Sequence, residues 1–200
     1  MTAPPARVRI LAISGSLRAV SSNATALRAV ARLAPPGVEV VPWAGLAGLP
    51  HFNPDLDDEH APPLPAVGAF RAVLRSADAL ILSSPEYAHG VPGSLKNALD
   101  WVVGSGELVE LPVALLVVAP HATFAQASLV ETLVVMSAHL VSGAPFVADL
   151  AGRRGITDAE IAADPVLAPA LRAMLAAIAA AVEARRGAAD GPLPEPQPGA

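Results

Sequence analysis

Apolar residues arrive along this chain in two alternating rhythms. Short uninterrupted apolar runs, the signature of strands buried on both faces, are separated by stretches in which apolar residues recur every three or four positions, as on one face of a helix. Val8, Ile10, Leu11, Ala12 and Ile13 predict the first strand, and Leu27, Val30, Ala31 and Ala34 a helix that Pro35-Pro36-Gly37 ends. Residues 38–41 predict a second strand, 67–75 a helix, and 79–82 a third strand. The spacing of Leu95, Ala98, Leu99 and Val102 predicts a helix over 92–103, with Pro92 in its first turn. Residues 113–119 form the most apolar run. Leu129, Val130, Leu133, Val134 and Leu140 predict the next helix, and 144–148 a last strand. Thr157 and Glu160 have capping-box spacing. From Asp164-Pro165, a stripe of Leu167, Leu171, Met174, Leu175, Ile178 and Val182 predicts a terminal helix.

Strand and helix therefore alternate five times. That order predicts an α/β fold, a doubly wound five-stranded parallel sheet with helices on both faces, whose ligand site lies beyond the carboxyl ends of the strands. Two hundred residues suit one domain, placed at 1–186. The remainder, 187–200, carries four prolines and reads as a disordered tail.

Composition narrows the chemistry. The mean hydropathy of +0.49 owes much to 43 alanines. The longest uncharged stretch, 111–130, includes Pro112, Pro120, His121, Thr123, Gln126 and Ser128, and so reads as strand, loop and helix rather than a membrane span. The opening residues lack an export pattern, so a cytoplasmic location is expected. With no cysteine, thiolate chemistry and cysteine metal sites are excluded. His51, His60, His89, His121 and His139 never share metal-ligand spacing, so no metal is expected. A net charge of −5, with no basic run beyond two residues, argues against nucleic-acid and membrane-surface partners. No G-x-S-x-G elbow is present to suggest a serine hydrolase.

Two loops concentrate polar residues. After the first strand come Ser14, Gly15, Ser16, Leu17 and Arg18, then Ser22 and Asn23 at the start of a helix. Free amides at a helix N-terminus attract an anion, and Arg18 offers a donor fork that matches phosphate oxygens. Neither a Walker A lysine nor G-x-G-x-x-G is present, so the loop suits a monophosphate. After the third strand, residues 83–101 read SSPEYAHGVPGSLKNALDW, in which two prolines and two glycines predict a rigid loop able to face a planar ligand.

These two segments resemble the NADPH-dependent FMN reductase family, a flavodoxin-like group that includes quinone, azo-dye and chromate reductases. The likeness extends from about residue 7 to 182. It implies that Ser14, Ser16, Leu17, Arg18, Ser22 and Asn23 hold the FMN phosphate. It further implies that Pro85, Glu86, Tyr87, Ala88 and His89, with His121 from the next loop, lie near the isoalloxazine. Lys96, Asn97, Asp100 and Trp101 match a family helix used in dimerisation and loop anchoring. The implied activity is transfer of two electrons from NADPH or NADH, through FMN, to a quinone-like or other small acceptor. A homodimer or homotetramer is implied as well. Because the flavin carries the chemistry, no catalytic side chain is expected.

Two departures stand out. The family usually places Asn after Glu-Tyr, where Ala88 stands here. Its third loop is usually glycine-rich with an arginine, whereas residues 119–126 read APHATFAQ, with Phe124 at the arginine position. Two other readings follow from the same residues. One is a flavodoxin-like electron carrier, which would not consume NAD(P)H rapidly; the other is a flavin-poor relative without catalysis.

Overall fold

The computed structural model describes residues 8–58, 60–141 and 145–189. A parallel sheet runs in the order β2 (Val38–Trp43), β1 (Val8–Ser14), β3 (Ala79–Ser83), β4 (Pro112–Val117). The fifth place is shared by two short pieces, β5 (His139–Leu140) and β6 (Phe146–Val147), which pair with opposite ends of β4. The predicted last strand over 144–148 is thus shorter than expected, and Ala144 lies outside the described residues.

Residue parity distributes the core. Val8, Ile10 and Ala12 of β1, Ala79 and Ile81 of β3, and Ala114 and Leu116 of β4 share one apolar cluster. That cluster takes in α1 (Ser22–Leu33), α5 (Asp158–Ala163) and α6 (Leu167–Ala189). The intervening residues, Leu11, Ile13, Leu80, Leu82, Val113 and Leu115, pack with α2 (Pro65–Arg75), α3 (Gly93–Val103) and α4 (Thr123–Val135). Helices therefore cover both faces, as alternating side chains of a doubly buried sheet require.

Helix α6 is long and apolar enough to cross a membrane by composition. Its Leu171, Met174, Leu175, Ile178 and Val182 are buried against the sheet, the arrangement of a core helix. It continues through Ala189, three residues into the segment read as a tail, and 190–200 lie outside the described residues. The predicted box at its approach is formed: Thr157 Oγ1 accepts the Glu160 amide while the Glu160 carboxylate accepts the Thr157 amide.

Helix α4 ends earlier than the apolar spacing predicts, and Leu140 belongs to β5. The Ala138 amide donates to the Leu133 carbonyl at 3.0 Å and the Ser137 amide to Val134 at 2.9 Å, the paired bonds of a Schellman close. Ser137 takes the left-handed position, φ 57°, that glycine usually fills.

Candidate functional site

The loops that leave β1, β3, β4 and β6 meet at the carboxyl edge of the sheet. Gly15 brings the loop after β1 against the end of β3. Its amide donates to the Ser83 carbonyl at 2.9 Å. A Cβ added to it would lie 3.0 Å from both Ser84 Oγ and Leu95 Cδ2, so a side chain there would require those two side chains to give way.

Ser21 caps α1: its hydroxyl accepts the Ala24 amide at 3.3 Å, and its carbonyl accepts the Thr25 amide. The amides of Ser22 and Asn23, in the first turn, are thereby left to an external acceptor. Asn23 is buried, and its Oδ1 faces Ser83 Oγ at 2.8 Å. Ser83 Oγ is also 2.8 Å from the Leu116 carbonyl. The Ser83 hydroxyl has one proton to share between these two acceptors, and the two contacts tie the Asn23 side chain to the end of the sheet.

Beside it is a cleft of about 420 Å³, within the range of small-molecule sites. Arg18, Ser22, Asn23, Pro85, Glu86 and His121 line it, so the structure brings these six predicted residues together. Ser84, Val118, Leu150 and the arginines Arg153 and Arg154 line it as well. The last two come from the β6–α5 connection, which carries no recognisable local motif. Arg153 is 2.7 Å from Asp164. Among the described residues, neither Arg18 nor Arg154 has a carboxylate within ion-pair distance.

The other predicted residues lie elsewhere. Ser14, Ser16 and Leu17 face a second cavity on the β2 side of the first loop, which Arg18 also borders. Tyr87, Ala88 and His89 form a turn beyond the cleft, closed by Tyr87 and Gly90, whose backbones exchange bonds of 3.1 and 2.9 Å. Ala88 and His89 both adopt positive φ, 48° and 59°. The His89 ring stacks on Phe124 with centroids 4.2 Å apart, so the residue at the unusual loop position holds the turn against α4. Glu86 sends its carboxylate to the Ala125 amide of α4. Of the α3 residues, Asn97 and Trp101 anchor the preceding loop: both donate to the Pro50 carbonyl, and Asn97 Oδ1 accepts the Phe52 amide. Lys96 pairs with Asp100 one turn on.

The donors around the cleft fit a flavin mononucleotide. Two helix amides with no partner among the described residues, the Asn23 side chain and the Arg18 guanidinium could together hold one dianionic phosphate. The apolar Pro85, Val118 and Leu150 offer surface to a ring system.

The family model for NADPH-dependent FMN reductases matches residues 8–153. An NAD(P)H-dependent FMN reductase of Pseudomonas aeruginosa is 44% identical over 94 residues, 47% of this chain and 49% of that protein. A quinone reductase of Escherichia coli is 34% identical over 96 residues, 48% of this chain and 50% of its own length. The chain thus spans about half the length of these curated relatives. Among solved structures, the flavoenzyme NAD(P)H:(acceptor) oxidoreductase FerB of Paracoccus denitrificans superposes with a TM-score of 0.76 at 25% identity, covering 88% of this chain and 98% of FerB. The loops just described lie within the matched span, and the chain belongs to the NADPH-dependent FMN reductase family.

Proposed function

We propose that this chain binds FMN in the cleft and passes two electrons from NAD(P)H to a quinone-like or other small acceptor. The observation that supports this reading is that Arg18, Ser22 and Asn23 line one cleft with Pro85, Glu86 and His121 from the loops that follow β3 and β4. Bound FMN supplies the two-electron redox chemistry. The chain's own residues bind and orient. Arg18 and the first turn of α1 would hold the phosphate, Ser83 fixes the Asn23 amide, and Pro85 and Glu86 would border the ring. Glu86 is committed to the Ala125 amide and is not a free base. No residue is assigned acid, base or nucleophile.

The reading extends to a homodimer or homotetramer. Exposed Phe124, Val134 and Val135 on α4 support association through a helix face.

The test is reconstitution followed by kinetics. The protein should bind FMN much more tightly than riboflavin and oxidise NAD(P)H when a quinone is supplied. If one site serves donor and acceptor in turn, double-reciprocal plots should be parallel. FMN binding without NAD(P)H turnover would identify an electron carrier instead.

A further inference from the structure

The second cavity, about 350 Å³, lies on the other side of the first loop from the cleft. Its apolar wall includes Leu27, Pro42, Trp43 and Leu46, and Arg18 and Arg28 also line it. The wall is preformed. The Trp43 indole stacks on Phe70, centroids 4.7 Å apart. On the backbone side, a Cβ at Gly45 would fall 2.2 Å from its Cζ2.

Arg28 donates one bond, from Nη2 to Thr25 Oγ1 at 2.9 Å. Among the described residues, neither arginine has a carboxylate within ion-pair distance; the charge of Arg28 acts on Asp158, which itself pairs with Arg32. With Arg18 given to the flavin phosphate, an apolar slot beside the Arg28 fork matches a planar, apolar group that carries phosphate. A small inorganic anion would leave the apolar wall unused, and a neutral quinone would leave Arg28 unused. Arg18 borders both cavities, so their occupants would lie side by side across one turn of chain.

We propose that this cavity receives the adenylate end of the nicotinamide donor, with the 2′-phosphate of NADPH directed to Arg28. The inference rests on the reductase reading above. It makes Arg28, outside the flavin cleft, a determinant of NADPH over NADH. The same adenylate chemistry could also arrive as a separate nucleotide, and the experiment distinguishes the two sources.

The FMN-loaded protein is titrated calorimetrically with adenosine 2′,5′-bisphosphate, and the same probe is used as an inhibitor against NADPH. Arg28→Gln removes the charge, and Ala24→Leu fills the space from α1 without changing charge. The expected result is binding of the probe, competition with NADPH, and about tenfold weaker probe affinity in each variant, the scale of one charged hydrogen bond. FMN affinity, measured by quenching of flavin fluorescence, should stay unchanged in both and certifies that they are folded. Should one variant fail that control, the other decides. Absence of probe binding, or equal affinity in wild type and folded variants, overturns the proposal. Binding without competition against NADPH indicates a separate nucleotide and overturns the donor assignment. Failure of the protein to take up FMN or oxidise NAD(P)H would instead refute the reductase reading, while probe binding to the flavin-free protein would still report on the cavity.

Discussion

The Glu86 carboxylate accepts the Ala125 amide at 2.8 Å, so the loop leaving β3 caps the helix that follows β4. No side chain of α4's own N-cap residue, Ala122, does this. The negative charge also sits at the positive end of the helix. One residue thus joins two walls of the cleft.

Loss of this cap should be measurable. Glu86→Ala should lower the stability of the flavin-free protein by about 0.5–2 kcal/mol, and Glu86→Gln, which keeps an acceptor, by less. Flavin retention after desalting should fall in the same order. Equal melting of the two variants would remove the cap from the explanation.

Arg18 is expected to serve the phosphate rather than the ring. Arg18→Ala should weaken FMN by roughly 10- to 150-fold, the equivalent of about 1.5–3 kcal/mol, and leave riboflavin nearly unaffected. Parallel weakening of both flavins would show that the side chain supports the loop instead.

The turn at Ala88 and His89 is strained in a correctable way. Two consecutive left-handed residues match the hairpin turn that prefers Asn-Gly, and a left-handed alanine costs about 1 kcal/mol. Ala88→Asn should therefore raise stability by up to about 1 kcal/mol, read as a higher denaturation midpoint without a change in slope. A midpoint equal to or below wild type would contradict the assigned backbone.

Asp164 links stability to acid. The Leu167 amide, then the Val166 amide and Arg153, hold its carboxyl down at about 2, against an ordinary value of 3.8. A depressed pKa means that the ionised form is favoured in the fold, so this contribution is complete above about pH 4 and fades as the pH falls toward 2. Asp164→Asn retains a capping oxygen but cannot ionise. Its melting temperature should therefore change less than that of wild type between pH 4 and pH 2. Identical pH profiles would show that Asp164 is not a source of acid sensitivity.

The central strands and most helices were legible because their signals are redundant. In β1, β3 and β4 most residues are apolar and buried on one face or the other. The fifth strand was harder. Leu140 falls seven residues after Leu133 and mimics the next turn of the helix, while the stop is made by Ser137 in a conformation that leaves no glycine to read. Within the site, Arg18, Ser22 and Asn23 follow from their position after a strand, but Ser83 acts on Asn23 across 60 residues of sequence. Arg153 and Arg154 line the cleft from the connection between β6 and α5, and no local pattern announces that position. Sequence spacing also cannot tell which side of a loop a side chain faces. Ser14 and Ser16 consequently border a different cavity from Ser22.

The divided fifth strand has a consequence for how copies of this protein can meet. An exposed sheet edge offers a row of unpaired amides and carbonyls onto which another chain can add. Here one border is broken into two pieces of two residues each. The other, β2, carries Pro42, which has no amide to donate. Neither border offers a long continuous template, so strand addition between molecules is disfavoured at both. Any association between copies would then run through side chains on the helical layers, where surface substitutions can tune it without disturbing the backbone ladder.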